Sequence, residues 1–373
     1  MKKNILIIQR DLGGGGAERV LIDILNNIDY KKYNITLQLI YKTGVYVDSI
    51  NKNVNVFSIY DPKKYKNRII QSIYCRFNTF LYEKYPKVLY KLFIDKGYDV
   101  EIAFLEGETT KLLCNSSNKS SKKVAWIHID MNSHDKSLLE KEKKYYEKIN
   151  EVICVSNDCK KTFDNCFPEY RSKSKTLYNL IDVKKICNLA KEDVDFDSTI
   201  PCIIGVGRLT RQKRFDLLIR AHKLLIDEGI KNKLIILGDG ESRGDLINLI
   251  KKLKVEKSVE LVGFKKNPYP YIKKSDIFVM SSDYEGFSLV VAEAIALGKP
   301  IISTRCVGPE EILNGGEYGQ IVECGNQNGL KEAIKKLLKD EKLKEYYQQK
   351  SQERRNSFNI ENIMKQIYEI FET

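Results

Sequence analysis

Residues 277–302 read IFVMSSDYEGFSLVVAEAIALGKPII, and this one line holds a strand, a loop, a helix and the next strand. Ile277–Met280 is a continuous apolar run, short enough for a strand covered on both faces. Ser281, Ser282, Asp283 and Gly286 supply a polar turn. Leu289–Leu297 has the length and apolar content of a helix packed on a sheet, and Gly298 stops it before the strand at 300–303. A continuous apolar strand, a loop, a helix and another such strand form the grammar of a parallel sheet with helices on both faces.

The same grammar extends upstream. CIIGVGRLTRQKR at 202–214, Leu234–Leu237 before Gly238, and Val259–Val262 before Gly263 read as strands, with a helix over 215–228 between the first two. Nearer the start, Ile5–Ile8, Gly13–Gly16 and Ala17–Asn27 read as strand, glycine turn and helix, followed by strands at 35–40, 54–59, 100–104, 123–127 and 151–155. The segment 181–199 is mostly polar and reads as a crossover or linker, while 330–340 and 360–371 read as helices. At 373 residues with 42% apolar content, two cores are expected. The fold class is α/β, with two Rossmann-like doubly wound domains whose strand-end loops face a cleft. The expected boundaries are 1–185, 186–355, and a C-terminal helix in 356–373 that crosses back to the first domain.

Composition excludes several classes. No stretch approaches the ~20 apolar residues of a membrane span. The short apolar run at the N-terminus reads as a buried strand, not a signal peptide. The nine cysteines form no CxxC pair and there are three histidines, so no structural metal site is expected, and the odd thiol count points to a reducing compartment. The net charge of +13 is concentrated early, residues 1–190 having 33 Lys+Arg against 22 Asp+Glu. An anionic partner is expected on the first half.

Three motifs carry chemistry. Gly13–Gly16 lets a phosphate approach the backbone at a helix entrance, although it matches neither GxGxxG nor the Walker pattern. Arg208 and Lys213, five apart across a loop, can clamp a diphosphate, one as a planar fork and the other as a mobile point charge. In the opening segment, the backbone amides of Ser288, Leu289 and Val290 make a phosphate seat. Glu285 and Glu293 lie on either flank of that seat and can accept from sugar hydroxyls. Glu293 sits among Val290, Val291, Ala292, Ala294 and Ile295, so a buried carboxylate there needs a partner.

With these residues in place, the sequence resembles the retaining glycosyltransferase family 4, of GT-B fold. The resemblance runs through GGGGAERV, VAWIHID at 124–130, VICVSND, YNLID, GVGRLTRQKRFDLLI at 205–219, LGDG, LVGF at 261–264 and EGFSLVVAEAIALGKPII at 285–302. It implies that Arg208 and Lys213 bind the donor diphosphate, Glu293 the ribose and Glu285 the transferred sugar. Gly263 and Phe264 line the base pocket, and Ser288, Leu289 and Val290 hold phosphate through their amides. Gly15 and Gly16 lie near the donor phosphates and the acceptor path, and His128 approaches the donor sugar. It further implies a nucleotide-sugar donor, UDP-linked, with no metal, and front-face transfer with retention.

Residues 63–91 interleave Lys and Arg with Ile, Phe, Tyr and Leu at helical spacing. They fit a helix on an anionic bilayer or one packed in the core with a basic edge. The expected setting is the cytoplasmic membrane face, peripherally, with a saccharide or polyprenyl-diphosphate-linked acceptor. Other classes weighed are a sugar-nucleotide epimerase or hydrolase on the same scaffold and a non-catalytic membrane scaffold. A nicotinamide dehydrogenase lacks its fingerprint, and nucleic-acid binding would leave the glutamates without a role.

Overall fold

The computed structural model describes residues 2–62, 64, 68–194 and 199–372, with Arg68 and Ile69 described by backbone alone. The chain divides into two units, Met1–Leu180 with Ile360–Thr373, and Ile181–Asn359.

Unit 1 is built on β1 (Lys3–Gln9), α1 (Gly16–Asn27), β2 (Tyr33–Tyr41), β3 (Asn55–Tyr60), α2 (Arg68–Lys84), α3 (Pro86–Phe93), β4 (Val100–Ala103), α4 (Glu108–Leu113), β5 (Lys122–Ile127), α5 (Lys136–Tyr146), β6 (Glu151–Cys154), α6 (Asn157–Cys166) and β7 (Ser174–Thr176). Its strands form one parallel sheet in the order β3-β2-β1-β4-β5-β6-β7. Burial on both faces is why the strands read as unbroken apolar runs: Ile5, Leu6 and Ile8 are fully buried, as are Val124 and Ile127. Strand β7 escapes such a reading because SKT has no apolar position.

Unit 2 comprises α7 (Val183–Leu189), β8 (Cys202–Val206), α8 (Phe215–Asp227), β9 (Lys233–Leu237), α9 (Arg243–Leu253), β10 (Val259–Gly263), α10 (Tyr269–Lys274), β11 (Ile277–Met280), α11 (Leu289–Ala296), β12 (Ile301–Thr304), α12 (Val307–Ile312), β13 (Gln320–Val322), α13 (Gln327–Lys339) and α14 (Glu341–Arg355). Its sheet is also parallel, in the order β10-β9-β8-β11-β12-β13. The expected linker at 181–199 is corrected in part: Val183–Leu189 is helical. Asp182 caps it by accepting from the Lys185 amide at 2.9 Å, and Ile186 is buried. Lys184 and Lys185 between its apolar positions obscure the period. Residues 195–198 of that expectation lie outside the described residues.

The last helix, α15 (Ile360–Glu372), belongs to unit 1. It buries Met364, Ile367, Ile370 and Phe371, and Tyr368 stacks on Tyr33 with centroids 5.2 Å apart. Lys3 donates to the carbonyls of Phe371 at 3.1 Å and Glu372 at 2.8 Å, and Lys122 to that of Ile370 at 3.2 Å. Cations thus satisfy the last-turn carbonyls, where the helix dipole favours positive charge.

Candidate active site

In both sheets the strand order reverses beside the first strand, between β1 and β4 in unit 1 and between β8 and β11 in unit 2. Loops leaving the carboxyl ends of such a pair diverge and leave a crevice. In unit 2 the two loops are residues 207–214 and 281–288, the two segments singled out in the sequence.

Backbone and side chains lace these loops together across some seventy positions of sequence. Asp283 N–H donates to Gln212 O at 2.9 Å, Gln212 Nε2 to Tyr284 O at 2.6 Å, and Ser281 Oγ to Lys213 O at 2.8 Å. Arg214, in the left-handed region at φ 50°, turns its guanidinium to Asp283 at 3.1 Å and Asp216 at 3.1 Å. From below, Thr304 Oγ1 at 2.5 Å and Cys306 Sγ at 2.9 Å donate to the Ser282 carbonyl, and Gly308 N–H donates to Glu285 O at 3.2 Å. A Cβ on Gly308 would lie 2.6 Å from Gly286 O, so only glycine allows this approach.

The product of that lacing is a contact between Lys213 Nζ and Glu285 Oε1, an ion pair whose side chains are 18% and 11% exposed. Ser282 Oγ donates to the same carboxylate oxygen at 2.8 Å. Glu285 Oε2 takes no hydrogen bond from a described residue. The lysine stem lies along Gly207, where a Cβ would sit 3.4 Å from Lys213 Cε. Of the four cations in this loop, Lys213 and Arg214 therefore face carboxylates, while Arg208 and Arg211 are exposed and their guanidinium groups meet no carboxylate among the described residues.

Ser288 stands at the N-cap position of α11, but its Oγ turns inward to Met280 Sδ at 3.0 Å and does not cap the helix. The first-turn amides of Leu289 and Val290 have no intrahelical acceptor by helix geometry, and Ser288 leaves them uncapped. Glu293, 2% exposed, lies deeper in the same helix and accepts the Tyr269 hydroxyl at 3.0 Å through Oε1. The partner demanded by its apolar neighbours comes from α10. Gly263, at φ 86°, ends β10 and its carbonyl accepts from Gly238 N–H at 2.9 Å, while Phe264 beyond it is 43% exposed.

Unit 1 carries the remaining candidates. Gly14 takes the left-handed conformation at φ 103°, Gly15 is the N-cap of α1 in extended conformation, and Gly16 is its first residue. The left-handed turn is at Gly14, one residue before the pair that the resemblance puts near the donor phosphates. Gly15, having no side chain, offers α1 no cap of its own. His128 follows β5, and its backbone N–H donates to Glu106 Oε2 at 3.0 Å. Desolvation drives the imidazole down to about 3, against a hydrogen bond to the Phe104 backbone, so the ring is neutral at pH 7. Its Nε2 is buried without a partner among the described residues. A neutral imidazole holds one donor and one acceptor nitrogen.

Sequence reasoning missed Tyr269, Ser282, Asp283, Glu106 and Gly308 in these contacts. The demand of a buried Glu293 for a donor was the one signal present, and it named no partner. Among the described residues no group of three or more His, Cys, Asp or Glu is placed to hold a metal ion, and no helix is long and apolar enough to cross a membrane.

Each unit is thus a parallel doubly wound sheet, the second with a basic loop and a glutamate loop side by side at its switch point. The sequence profile described as "Glycosyl transferases group 1" matches residues 189–354. The chain is 31% identical over 363 residues, 93% of each protein, to the Campylobacter jejuni N-acetylgalactosamine-N,N'-diacetylbacillosaminyl-diphospho-undecaprenol 4-alpha-N-acetylgalactosaminyltransferase. Among solved structures, sucrose-phosphate synthase from Thermosynechococcus elongatus superposes with a TM-score of 0.80 at 18% identity, covering 100% of this chain and 98% of that one. Anabaena HepE in complex with UDP and glucose gives 0.78 at 19%, covering 99% of both. The chain belongs to the group 1 glycosyltransferases, and its fold is GT-B.

Proposed function

We propose that this glycosyltransferase moves a sugar, with retention, from a UDP-sugar to a lipid-linked saccharide in surface polysaccharide or glycolipid assembly. The observation that carries the reading is the Lys213–Glu285 pair at the β8/β11 switch point, beside the open Arg208 and the uncapped start of α11. A diphosphate seated there takes Arg208, Lys213 and the amides of Ser288, Leu289 and Val290 as donors, while Glu285 Oε2 accepts from the transferred sugar. Glu293, oriented by Tyr269, accepts from the ribose, and Gly263 and Phe264 border the base. Gly15 and Gly16 serve the donor phosphates and the acceptor path, and the neutral ring of His128 approaches the donor sugar.

No second carboxylate is needed for front-face transfer. The acceptor hydroxyl attacks on the side from which the nucleoside diphosphate departs and passes its proton to the leaving phosphate oxygen. The chain supplies position and positive charge. The UDP in HepE and the diphospho-undecaprenol substrate of the C. jejuni relative support the donor and acceptor classes.

For the membrane, α2 and α3 expose Ile70, Ile73, Phe77, Phe80, Val88 and Leu92, while Asn78, Leu81 and Leu89 face inward. Lys84, Lys87 and Lys91 accompany this apolar stripe, which suits peripheral contact with an anionic bilayer at the cytoplasmic face. Lys63, Tyr65, Lys66 and Asn67 of the expected basic segment lie outside the described residues.

The test is a thermal-shift panel of nucleoside diphosphates, then transfer to lipid extracts with the product's anomeric configuration read by NMR. UDP should raise the melting temperature most, and Glu285→Ala should abolish transfer with the fold intact. An inverted product, or wild-type turnover in Glu285→Ala, refutes the mechanism.

A further inference from the structure

Unit 1 has a cavity of ≈ 380 Å³ at the opposite end of its sheet from His128. It opens where the chain enters β5 and β6, among the residues just before Lys122 and Glu151. Lys123 on its wall and His128 are five residues apart along one strand, roughly 17 Å at ~3.3 Å per residue. The cavity is therefore separate from the strand-end loops that carry the candidate active site.

Its wall is unusual in charge. Lys87, Lys119, Lys123 and Lys148 line it, the remaining groups are serine, asparagine and Cys114, and no acidic side chain takes part. Elsewhere in the unit lysines find carboxylates: Lys122 meets Glu151 at 2.6 Å, Lys143 meets Glu169 at 2.7 Å and Lys160 meets Asp164 at 2.6 Å. Those of the cavity are held by neutral oxygens instead. Lys123 Nζ donates to Asn118 O at 2.7 Å, Ser121 Oγ at 3.0 Å and Ser121 O at 3.3 Å, which engages its three N–H groups, and Lys148 Nζ donates to Cys114 O at 3.2 Å. Carbonyls orient an ammonium without cancelling its charge. Lys87 and Lys119 are exposed at the rim, and neither ammonium has a partner among the described residues.

Four like charges around one concavity repel, and an anion bound there relieves the repulsion, with Lys87, Lys119 and Lys148 keeping N–H groups to donate and Lys123 contributing its charge. Burial pushes the Cys114 thiol on the wall up to about 12, while Lys148 and Lys123 pull the other way, which registers the positive field inside. The volume falls in the range of small-molecule sites. The neutral lining offers hydroxyl and amide groups, which suit a polar remainder better than an apolar one.

We infer that this cavity is a second anion site, taking the phosphate of a small hydroxylated phosphate ester such as a sugar phosphate or a glycerophosphate. The same chemistry is offered by a free metabolite and by a phospholipid headgroup. A phosphate monoester carries ~1.5–2 negative charges at neutral pH and three acceptor oxygens, which match the donors left on Lys87, Lys119 and Lys148 in the field that Lys123 adds.

The experiment titrates the full chain with glycerol 3-phosphate by calorimetry, with and without UDP, so that the result does not depend on the donor assignment. One binding event insensitive to UDP is expected. It should weaken at least tenfold in Lys119→Gln/Lys148→Gln, while the melting temperature and any UDP response stay as in the wild type. Lys87→Gln, an exposed rim change, should give a smaller loss in the same direction. Pelleting on phosphatidylcholine vesicles with and without phosphatidic acid separates the sources. Binding that needs phosphatidic acid and is displaced by glycerol 3-phosphate assigns the headgroup, and its absence assigns the free ester. No heat of binding for glycerol 3-phosphate, or binding of equal strength in the double variant, overturns the proposal.

Discussion

The Lys213–Glu285 contact can be tested before any substrate is known, by a double-mutant cycle with Lys213→Met and Glu285→Gln. At an effective dielectric of about 20, opposite unit charges in contact attract by about 4 kcal/mol. Desolvation of two side chains 18% and 11% exposed takes back much of this, leaving about 1–2 kcal/mol for the pair. Lys213→Met leaves the Glu285 carboxylate with the Ser282 hydroxyl alone and should cost about 2–3 kcal/mol. Glu285→Gln keeps an amide oxygen for the lysine and should cost about 1 kcal/mol. The double variant should cost about 2 kcal/mol, less than the sum, because neither partner is then left with an unanswered charge. For a unit of this size 1 kcal/mol moves the melting temperature by about 2–4 °C. Calorimetric scans should therefore show a coupling of about 2–8 °C in the transition of unit 2. The only tryptophan, Trp126, lies buried in unit 1, so its fluorescence is an internal control that should not move. Costs that add within about 0.3 kcal/mol would refute the coupling and with it the reading of this contact as an ion pair.

Tyr269→Phe removes the 3.0 Å donor to buried Glu293 and should destabilise unit 2 by about 1.5–3 kcal/mol in urea titration, with UDP affinity reduced as the carboxylate loses its orientation. Gly308→Ala drives a methyl to 2.6 Å from Gly286 O, so transfer should fall at least tenfold through displacement of the Glu285 loop; unchanged kcat would show that the loop tolerates the shift. His222, fully buried between Asn232 and Ser258, has its imidazole lowered from 6.5 to about 4 by desolvation. Its stabilising effect is complete above pH 6.5 and disappears as pH falls through 4, because the unfolded chain takes up the proton first. The loss reaches about 3 kcal/mol. His222→Gln should flatten the stability profile over that window, and an equally steep profile in the variant would rule the residue out as its source.

Much of the architecture was legible because its signals are local. Four-residue apolar runs such as IFVM and LIIL mark strands covered on both faces, and Val20, Leu21, Ile24 and Leu25 repeat at the helical period that α1 buries. Where polar residues mask the pattern the reading weakened. The short β7 has no apolar position, α7 hides its period behind two lysines, and α14 buries only Ser351. On α2 the period was plain, but which side of it met the core was not. The helix turns Asn78 and Leu81 inward and leaves Ile73 and Phe77 out, a choice made by what β3 and α3 present to it.

The sequence by itself determined which residue types stand at the strand ends: the four glycines after β1, Arg208 and Lys213 after β8, and the two glutamates around the start of α11. Their order and spacing also sufficed for the family resemblance. Only the tertiary structure decided what each side chain touches. Strand order brings the loops after β8 and β11 side by side, and from that follow the Lys213–Glu285 pair, the diversion of Arg214 to Asp283, and the open guanidinium of Arg208. The donor to Glu293 comes from Tyr269, twenty-four residues earlier, on a helix whose sequence carries no mark of that role. Periodicity is a property of neighbours in the chain and can be read there, whereas the pairing of charges depends on contacts made only when the sheet has formed.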